Sequence, residues 1–452
     1  MSQDAPDFIL AFRLEDAPGH VVHQAKRCLL DLIGVAAAGS LLPVSDITRR
    51  VAAVQYSGSE ARFLFHGGTA SASGAAFANA ATVNGFDAHD GHPLAKGHAG
   101  CGSFAALLAF AGDGDGLSGS EALGHLILGY EVAIRAGIAL HATASDYHTT
   151  GAWVSLAAAA IGGRMMGLDR VRLREALGIA EYHGPRSQMM RCIDYPTMVK
   201  DGSGWGTMAG VMAAHLAREG FTGAPAITVE SDATRPFWTD LGSTWRILEQ
   251  YFKPYPVCRW AQPAMEAAAA LRRAHEFATQ DIEKITVRTF REASRLAVAA
   301  PMSTDEAQYS LPFPLAALLV RGNVGPAEVS GPALSDPEIL RLARNVILID
   351  EPRYSFQFPA ERWADIDIEL KDGRRLTSEP ARPRGSADDP LSDRELSEKF
   401  HVLMAASGQA ERAGAIEEMV MSLETARSFA TLLDAIMQPA SNTGRAHLEA
   451  AQ

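Results

Sequence analysis

Cysteine is scarce in this chain: only four of its 452 residues are cysteines, at positions 28, 101, 192 and 258. They lie far apart, and no two of them form a Cys-x-x-Cys pair. This spacing excludes a zinc ribbon and a disulfide framework of the kind found in small secreted domains. We expect four reduced, mostly buried thiols that pack as small apolar side chains.

Positive charge is also in short supply. The chain has 41 lysines and arginines against 53 acidic residues, which gives a net charge of −12, and no basic tract stands out. A protein that binds nucleic acid needs clustered cations to neutralise several phosphates. Nucleic acid is therefore not an expected partner.

Long apolar runs are missing as well. The longest candidate, residues 152–163, ends in Gly162 and Gly163 and is shorter than the roughly 18 residues that a membrane span requires. The first seven residues carry acids but no basic residue, and the apolar stretch 8–12 is too short for the core of a secretion signal. These features favour a cytoplasmic protein without a membrane partner.

The patterning divides the chain into helical and mixed regions. Between about residues 20 and 270, alanine-rich segments with apolar residues three and four positions apart predict helices. Alternation with a period of two predicts strands at 282–290 and 363–370, with helices at 311–321 and 336–346 between them. We predict a mainly α protein with a smaller α+β domain: a helical domain at 1–270, an α+β lid at 271–390 and a helical segment at 391–452 that rejoins the first domain. A linker is expected at 379–386 and a loose polar tail at 441–452.

The densest chemistry lies in one short segment. Residues 85–98 contain two acids and three imidazoles among several glycines, namely Asp87, His89, Asp90, His92 and His98. A run of good helix formers follows at 104–111, so these side chains are expected at or just before a helix N-terminus. A single loop His or Asp is usually solvated or caps a turn. Five together favour a catalytic or binding site.

Three further clusters carry cations or histidine. His148 precedes a small-residue helix, and Lys200 precedes a Gly/Ser loop and a helix predicted at about 207–218. Lys253 opens a segment stiffened by two prolines, in which Arg259 is equally well explained as a structural clamp. Each residue alone is better explained as structural or solvated. Together with Arg186 and Arg191, the two lysines could bind an anion.

The four clusters, in this order, resemble the MmgE/PrpD family, whose members include 2-methylcitrate dehydratase, cis-aconitate decarboxylase and iminodisuccinate epimerase. Asp87, Asp90 and the sequence Gly-His-Ala-Gly at 97–100 match its aspartate-rich loop and Gly-His-Pro-Gly, apart from one alanine. His148, Lys200 and Lys253 fall on its His-x-Thr-Gly, Met-Val-Lys and Lys-x-Tyr-Pro positions. The resemblance implies the two-domain helical and α+β fold, a homodimer, and no required metal or organic cofactor. Departures from the family pattern occur at three positions: Gln262, Glu266 and His89.

These observations predict a lyase that moves a proton at carbon on a small di- or tricarboxylate, most simply a dehydratase. His98 is the expected acid/base, oriented by Asp87 or Asp90, with His148 opposite it across the substrate. The expected substrate-binding residues are Lys200, Lys253, Arg186, Arg191, His92 and Tyr309. Decarboxylation and epimerisation stay open because all three reactions share a carbanion-like intermediate. Two further functions stay open as well: a hydrolase with a metal ion on Asp87, His89, His92 and His98, and a non-catalytic protein that binds carboxylates.

Overall fold

A computed structural model of the chain describes residues 4–439, so the tail expected at 441–452 lies outside the described residues. The first part of the chain is helical. Its helices are α1 (Ala5–Ala11), α2 (Gly19–Gly39), α3 (Pro43–Gln55), α4 (Ala72–Val83), α5 (Ala99–Phe110), α6 (Gly119–Thr143), α7 (Gly151–Met165), α8 (Arg170–His183), α9 (Met189–Asp194), α10 (Ser203–Arg218), α11 (Ile227–Glu230) and α12 (Gln262–Ala274). A small antiparallel pair, β1 (Ala61–Arg62) and β2 (Thr69–Ala70), lies between α3 and α4.

The second part mixes helices and strands. Its elements are β3 (Ile282–Thr289), α13 (Arg291–Ser294), α14 (Thr304–Gln308), α15 (Pro312–Arg321), α16 (Pro337–Arg344), β4 (Val346–Asp350), α17 (Pro352–Gln357), β5 (Ala364–Leu370) and β6 (Arg375–Thr377). The strands form one sheet in the order β4-β3-β5-β6, in which only the β3–β4 pair is parallel. The predicted strands and helices are therefore present, and the fold is mainly α with a smaller α+β part.

Small residues allow the central helices of the helical part to pack closely. Helix α7 lies against α5, α6, α8 and α10. A Cβ atom added at Gly206 or Gly210 on α10 would collide with a backbone carbonyl oxygen of α7. The alanine- and glycine-rich composition of this region thus serves backbone contact between helices as well as helix propensity.

Helix α6 is long and apolar enough to cross a membrane, judged by length and composition alone. Its N-terminus is closed by a capping box of Ser118 and Glu121, and 94% of its most apolar window is buried inside the protein. The charged groups of Glu131 and Arg135, four positions apart on this helix, lie 3.3 Å from each other in the core. The burial is that of a core helix in a globular protein. Helices α2 and α3 pass the same test only when taken together, across a bend of 89°.

The C-terminal helices return to the helical part. They are α18 (Asp393–Ala406), α19 (Ala410–Met421) and α20 (Ala430–Met437), and both α18 and α19 pack against α2. Their apolar side chains belong to the same core as those of α2, α5 and α6. The second core holds the sheet together with α12 and α15, and it already includes Val257. It also contains Val35, Phe86 and Ile193 from the helical part, so the second core does not follow a single boundary in the sequence, and the boundary at residue 271 stays a prediction.

Candidate active site

The segment that links α4 to α5 crosses the region between the two cores. Its backbone is fixed on both sides: Gly91 exchanges two hydrogen bonds with Tyr251, of 3.0 and 2.8 Å, and the Asp87 N–H donates to Oε1 of Gln308 at 2.8 Å. A Cβ atom at Gly91 would lie 2.9 Å from Nδ1 of His98 and would collide with the Tyr251 hydroxyl. The glycine thus permits the close approach that sets the position of His98.

His98 is held in one tautomer at the start of α5. Its Nδ1 lies 2.6 Å from the backbone carbonyl oxygen of Asp90. Because a carbonyl oxygen only accepts, Nδ1 carries the proton, and Nε2 of the neutral ring has a free lone pair. Burial, followed by the charge of Lys253, lowers the pKa of His98 to about 4, against the opposing effect of Asp87. His98 is therefore a neutral imidazole above that pH, ready to accept a proton at Nε2.

Asp201 faces the same nitrogen. Its Oδ2 lies 3.5 Å from Nε2 of His98 and has no hydrogen-bond partner among the described residues, although the side chain is buried. Burial, followed by the charge of Asp87, raises the pKa of Asp201 to about 7. A buried carboxyl with such a pKa can hold a proton near neutrality and donate it. The sequence interpretation did not select Asp201, although it directly follows Lys200.

The two lysines are buried and already have carboxylate partners. Lys253 forms an ion pair with Oδ1 of Asp87 and donates to the carbonyl oxygen of Asp87 at 3.0 Å. Lys200 donates to Gly85 O at 2.7 Å and to Gln308 Oε1 at 2.6 Å, and its ammonium lies 3.3 Å from Asp305. Burial alone would raise the pKa of Asp87, but the charge and hydrogen bond of Lys253, together with the charge of Lys200, outweigh it and lower that pKa. The lysines thus stabilise the ionised form of Asp87 beside His98.

The ring of His89 lies against that of His98, at an interplanar angle of 40°. The two ring centroids are 4.1 Å apart, and both ring nitrogens of His89 lack hydrogen-bond partners among residues 4–439. Burial lowers the pKa of His89 well below its usual value, and the positive charges of Lys253 and Lys200 act in the same direction. The ring of His89 is therefore neutral.

Four of these side chains could hold a metal ion. One ligand atom from each of Asp87, His89, His98 and Asp201 lies within 4.8 Å of the others. Two imidazoles and two carboxylates suit zinc, iron or manganese. The set differs from the predicted one, since Asp201 takes the place of His92. The ammonium of Lys253, which is bonded to Asp87, would repel a divalent ion there.

The site encloses very little space. A cavity of about 20 Å³ is lined by Asp87, Lys96, His98, Tyr147, Asp201, Tyr251, Lys253, Arg259, Tyr309 and Arg362 together with four neighbouring residues. That volume holds about one water molecule. A second cavity of about 320 Å³ shares Tyr251, Arg259 and Arg362 with the first. Of the predicted residues, Asp87, His98, Lys253 and Tyr309 line the small cavity, and the ammonium of Lys200 lies 5.8 Å from the Tyr309 ring centroid.

Two predicted residues of the dense segment turn away from the small cavity. His92 lines the larger cavity, where its Nε2 lies 2.8 Å from Oε2 of Glu249. The carboxylate of Asp90 accepts from the Tyr130 hydroxyl at 2.6 Å and from Gln250 at 3.0 Å. Asp90 therefore orients His98 through its backbone carbonyl, not through its side chain.

Three more predicted residues, His148, Arg186 and Arg191, lie outside the small cavity. Tyr147 lines it, but the adjacent His148 does not, and the buried Nδ1 of His148 has no partner among the described residues. Arg186 and Arg191 are exposed, and the nearest acid to Arg186 is Glu181 at 3.8 Å. Among the described residues, neither arginine has a hydrogen bond or ion pair with His98, Asp87, His89 or Asp201, which we call the His98 cluster.

Gln262 and Glu266, two of the departures from the family pattern, lie at the start of α12, just after the 253–260 segment. Gln262 accepts a hydrogen bond from Arg259 at 3.2 Å and donates to the carbonyl oxygens of Tyr255 and Val257. Burial raises the pKa of Glu266 against the opposing charge of Arg384. Neither residue lines the small cavity, so these two departures alter the support of the 253–260 segment.

Comparison with known proteins agrees with the geometry. Models of the MmgE/PrpD N-terminal domain and the MmgE/PrpD C-terminal domain match residues 3–235 and 255–425. The chain belongs to the MmgE/PrpD family. The resemblance inferred from the motifs is thus confirmed. The second family domain contains the four-stranded sheet and also α18 and α19, which pack on α2 of the helical part.

Curated relatives cover nearly the whole chain at low identity. The chain is 24% identical to the cis-aconitate decarboxylase-like protein oryM of Aspergillus oryzae, over 94% of this chain and 95% of that protein. It is 23% identical to a cis-aconitate decarboxylase of Aspergillus terreus, over 94% and 93%. At this level the similarity supports a family of carboxylate lyases and not one specific reaction.

Proposed function

We propose that this MmgE/PrpD protein is a lyase that acts on a small di- or tricarboxylate by proton transfer at carbon, without a metal or organic cofactor. The observation that carries the proposal is the pairing of His98 with Asp201, a neutral imidazole and a carboxyl of raised pKa 3.5 Å apart. A pair of neighbouring titratable groups, one held unprotonated and the other held protonated by its environment, is typical of acid–base catalysis. The relatives, which are named as cis-aconitate decarboxylases or as similar to them, support the substrate class.

In a dehydration, Nε2 of His98 takes the proton from the carbon next to a carboxylate, and the C–H electron pair forms an enolate-like intermediate. Protonated Asp201 then donates its proton to the departing hydroxyl group, which leaves as water. The ammonium groups of Lys200 and Lys253 offset part of the developing negative charge. General acid–base catalysis of this kind contributes about 10²–10⁴-fold to the rate.

The same groups support a decarboxylation, in which carbon dioxide leaves and the resulting carbanion takes a proton. Dehydration is the reaction expected from the motifs, whereas the names of the curated relatives favour decarboxylation. Epimerisation, in which the proton returns to the opposite face, is the third outcome.

Proton NMR in D₂O distinguishes these outcomes. The enzyme is incubated with cis-aconitate, citrate, 2-methylcitrate and iminodisuccinate, and exchange, elimination, loss of carbon dioxide and epimerisation are followed together. We expect one acid to react with the wild type and none with His98→Ala, while His183→Ala, which changes an exposed histidine, reacts as the wild type does. Normal turnover by His98→Ala would contradict the assignment. Thermal stabilisation by these acids without any reaction would indicate a binding protein instead.

A metal-dependent hydrolase is the second candidate, and the unpartnered nitrogens of His89 beside Asp87 and Asp201 are the observation that favours it. Metal content of protein purified without added ions, measured by mass spectrometry, tests it. A stoichiometric ion that disappears in His89→Phe, together with activity that needs the ion, would replace the lyase proposal.

We also propose that the protein is a cytoplasmic homodimer. Exposed apolar side chains next to Lys200 support a second copy as partner: Ile47, Met198, Val199 and Trp205 line a surface groove with the buried Lys200 at its edge. Light scattering during gel filtration tests the dimer, and Trp205→Glu should shift it towards monomer. A wild-type monomer at micromolar concentration would overturn this proposal.

A further inference from the structure

The positively charged side chains around the small cavity differ in whether acids and hydrogen-bond acceptors of the protein already pair with them. Lys253 is paired with Asp87. Arg259 is held by the carbonyl oxygens of Phe252, Pro383 and Arg384 and by the side chains of Gln262 and Ser386. It clamps the 383–386 loop and has little hydrogen-bonding capacity left for a ligand. Two lining cations are left, Lys96 and Arg362.

Arg362 is a buried guanidinium without a carboxylate partner. It precedes β5 and is only 7% exposed. It donates to Pro359 O at 3.0 Å and, at the long distance of 3.5 Å, to Pro93 O, while its Nε has no partner. No acid of residues 4–439 lies within ion-pair distance of it. Buried arginines are normally paired with an anion, so this one lacks its counterion.

Lys96 approaches from the helical side. Its backbone has a φ of 56°, a left-handed conformation that is uncommon for a residue with a side chain and that clusters at functional sites. Its ammonium lies 4.9 Å from the Tyr147 ring centroid and has no hydrogen-bond or ion-pair partner in the described part of the chain. Burial, followed by the charge of Arg362, lowers the pKa of Lys96, with Glu292 as the opposing acid.

We propose that Arg362 and Lys96 together bind one carboxylate group of the substrate. The inference rests on the proposed function and adds the residues that select its substrate class. A guanidinium can bind a carboxylate through two parallel hydrogen bonds, and the ammonium adds a third donor. The long contact to Pro93 O is the bond most easily exchanged for the ligand. Because one cation precedes α5 and the other precedes β5, the bound carboxylate bridges the two parts of the molecule.

The test is calorimetric binding of tricarballylate, a saturated tricarboxylate, compared with glutarate and methylsuccinate, each of which lacks one of its carboxylates. Loss of a charged hydrogen bond weakens binding by about 10- to 100-fold. We expect Arg362→Met and Lys96→Met each to weaken tricarballylate binding by that order, and Arg362→Lys to weaken it less. In Arg362→Met, the preference for tricarballylate over one of the two dicarboxylates should disappear.

The matched control is Arg382→Met. Arg382 lines the larger cavity but not the small one, and it is paired with Asp388 at 2.7 Å. Its substitution should leave binding unchanged. The double variant Arg362→Met/Lys96→Met should lose less than the product of the single effects, because both side chains contact the same carboxylate.

Kinetics with the reacting acid separates binding from a structural role. We expect KM to rise and kcat to change less than threefold, the behaviour of a uniform binding contact. Unchanged tricarballylate affinity in a folded Arg362→Met, or a fall in kcat alone, would overturn the inference while the proposed function stands. Failure of the wild type to bind or convert any of these acids would overturn both.

Discussion

Two buried clusters of charged residues differ in how completely their polar atoms are paired. On the sheet, Arg288 bridges Asp365 and Asp367, and each of the four oxygens of these carboxylates accepts at least one hydrogen bond. Around His98, both nitrogens of His89 and one oxygen of Asp201 have no partner in the described part of the protein. A fully paired buried network stabilises a fold, whereas unpaired polar atoms destabilise it unless a ligand completes them.

The pKa values follow the same division. Burial alone would raise the pKa of Asp367, but Arg288, Arg375 and Thr377 lower it well below its usual value. Burial raises the pKa of Asp201 to about 7, and no hydrogen bond opposes it. The sheet cluster is thus fixed in one protonation state, while the His98 cluster can change its state near neutral pH. The difference separates a structural network from a site that can move protons.

The largest effect should come from breaking the His98 cluster. His98→Gln keeps a donor for the Asp90 carbonyl but removes the base, so we expect kcat to fall by about 10²–10⁴-fold. The free energy of unfolding should hardly change, because no buried ion pair is broken. Steady-state rates and urea unfolding check both expectations. A large stability loss with normal kcat would place His98 among the structural residues.

The reverse pattern is expected when the sheet network is broken. Arg288→Met leaves two buried carboxylates short of a partner, which should reduce the free energy of unfolding by about 3 kcal/mol. The rate per folded molecule should stay within twofold, because the network lies outside the site. Urea unfolding and activity at a temperature where the variant is folded provide the measurement. The matched control is Arg394→Met, whose pair with Glu398 is exposed and should contribute less than about 0.5 kcal/mol.

The pH dependence of kcat/KM should show which groups titrate. His98 must be neutral to accept a proton, so activity should rise as pH passes about 4. Asp201 must be protonated to donate, so activity should fall as pH rises through about 7. Asp201→Asn should remove the fall at high pH and lower the maximum. A profile that keeps this limb in Asp201→Asn would assign the acid to another group.

The sequence identified segments in which chemically active residues are dense, but it did not show which of these side chains point into the site. Asp87, His98, Lys200, Lys253 and Tyr309 were selected from motifs, and the fold brings them together. Whether a side chain in such a loop points inward depends on contacts from distant parts of the chain. The exchange of hydrogen bonds between Gly91 and Tyr251, for example, is invisible in local patterning.

The residues that were missed share this cause. Asp201 follows a lysine whose φ is 41°, so local periodicity does not reveal its direction. Arg362 belongs to the α+β part and reaches the segment before α5 only through the tertiary fold. The pairing of Lys200 and Lys253 with acids also depends on tertiary contacts, and it changes their role from free cations to partners of Asp305 and Asp87.

The smallest effect is expected at two arginines that the sequence pattern assigned to substrate binding. Arg186 and Arg191 are exposed, and substitutions of exposed residues away from special contacts usually change stability by less than about 0.5 kcal/mol. Arg186→Ala and Arg191→Ala should therefore each change KM and kcat by less than twofold. The free energy of unfolding should change by less than about 0.5 kcal/mol. A tenfold rise in KM for either variant would mean that residues 184–199 fold over the substrate when it binds. In that case the contrast between the unpaired polar atoms around His98 and the fully paired network on the sheet would describe only the ligand-free protein.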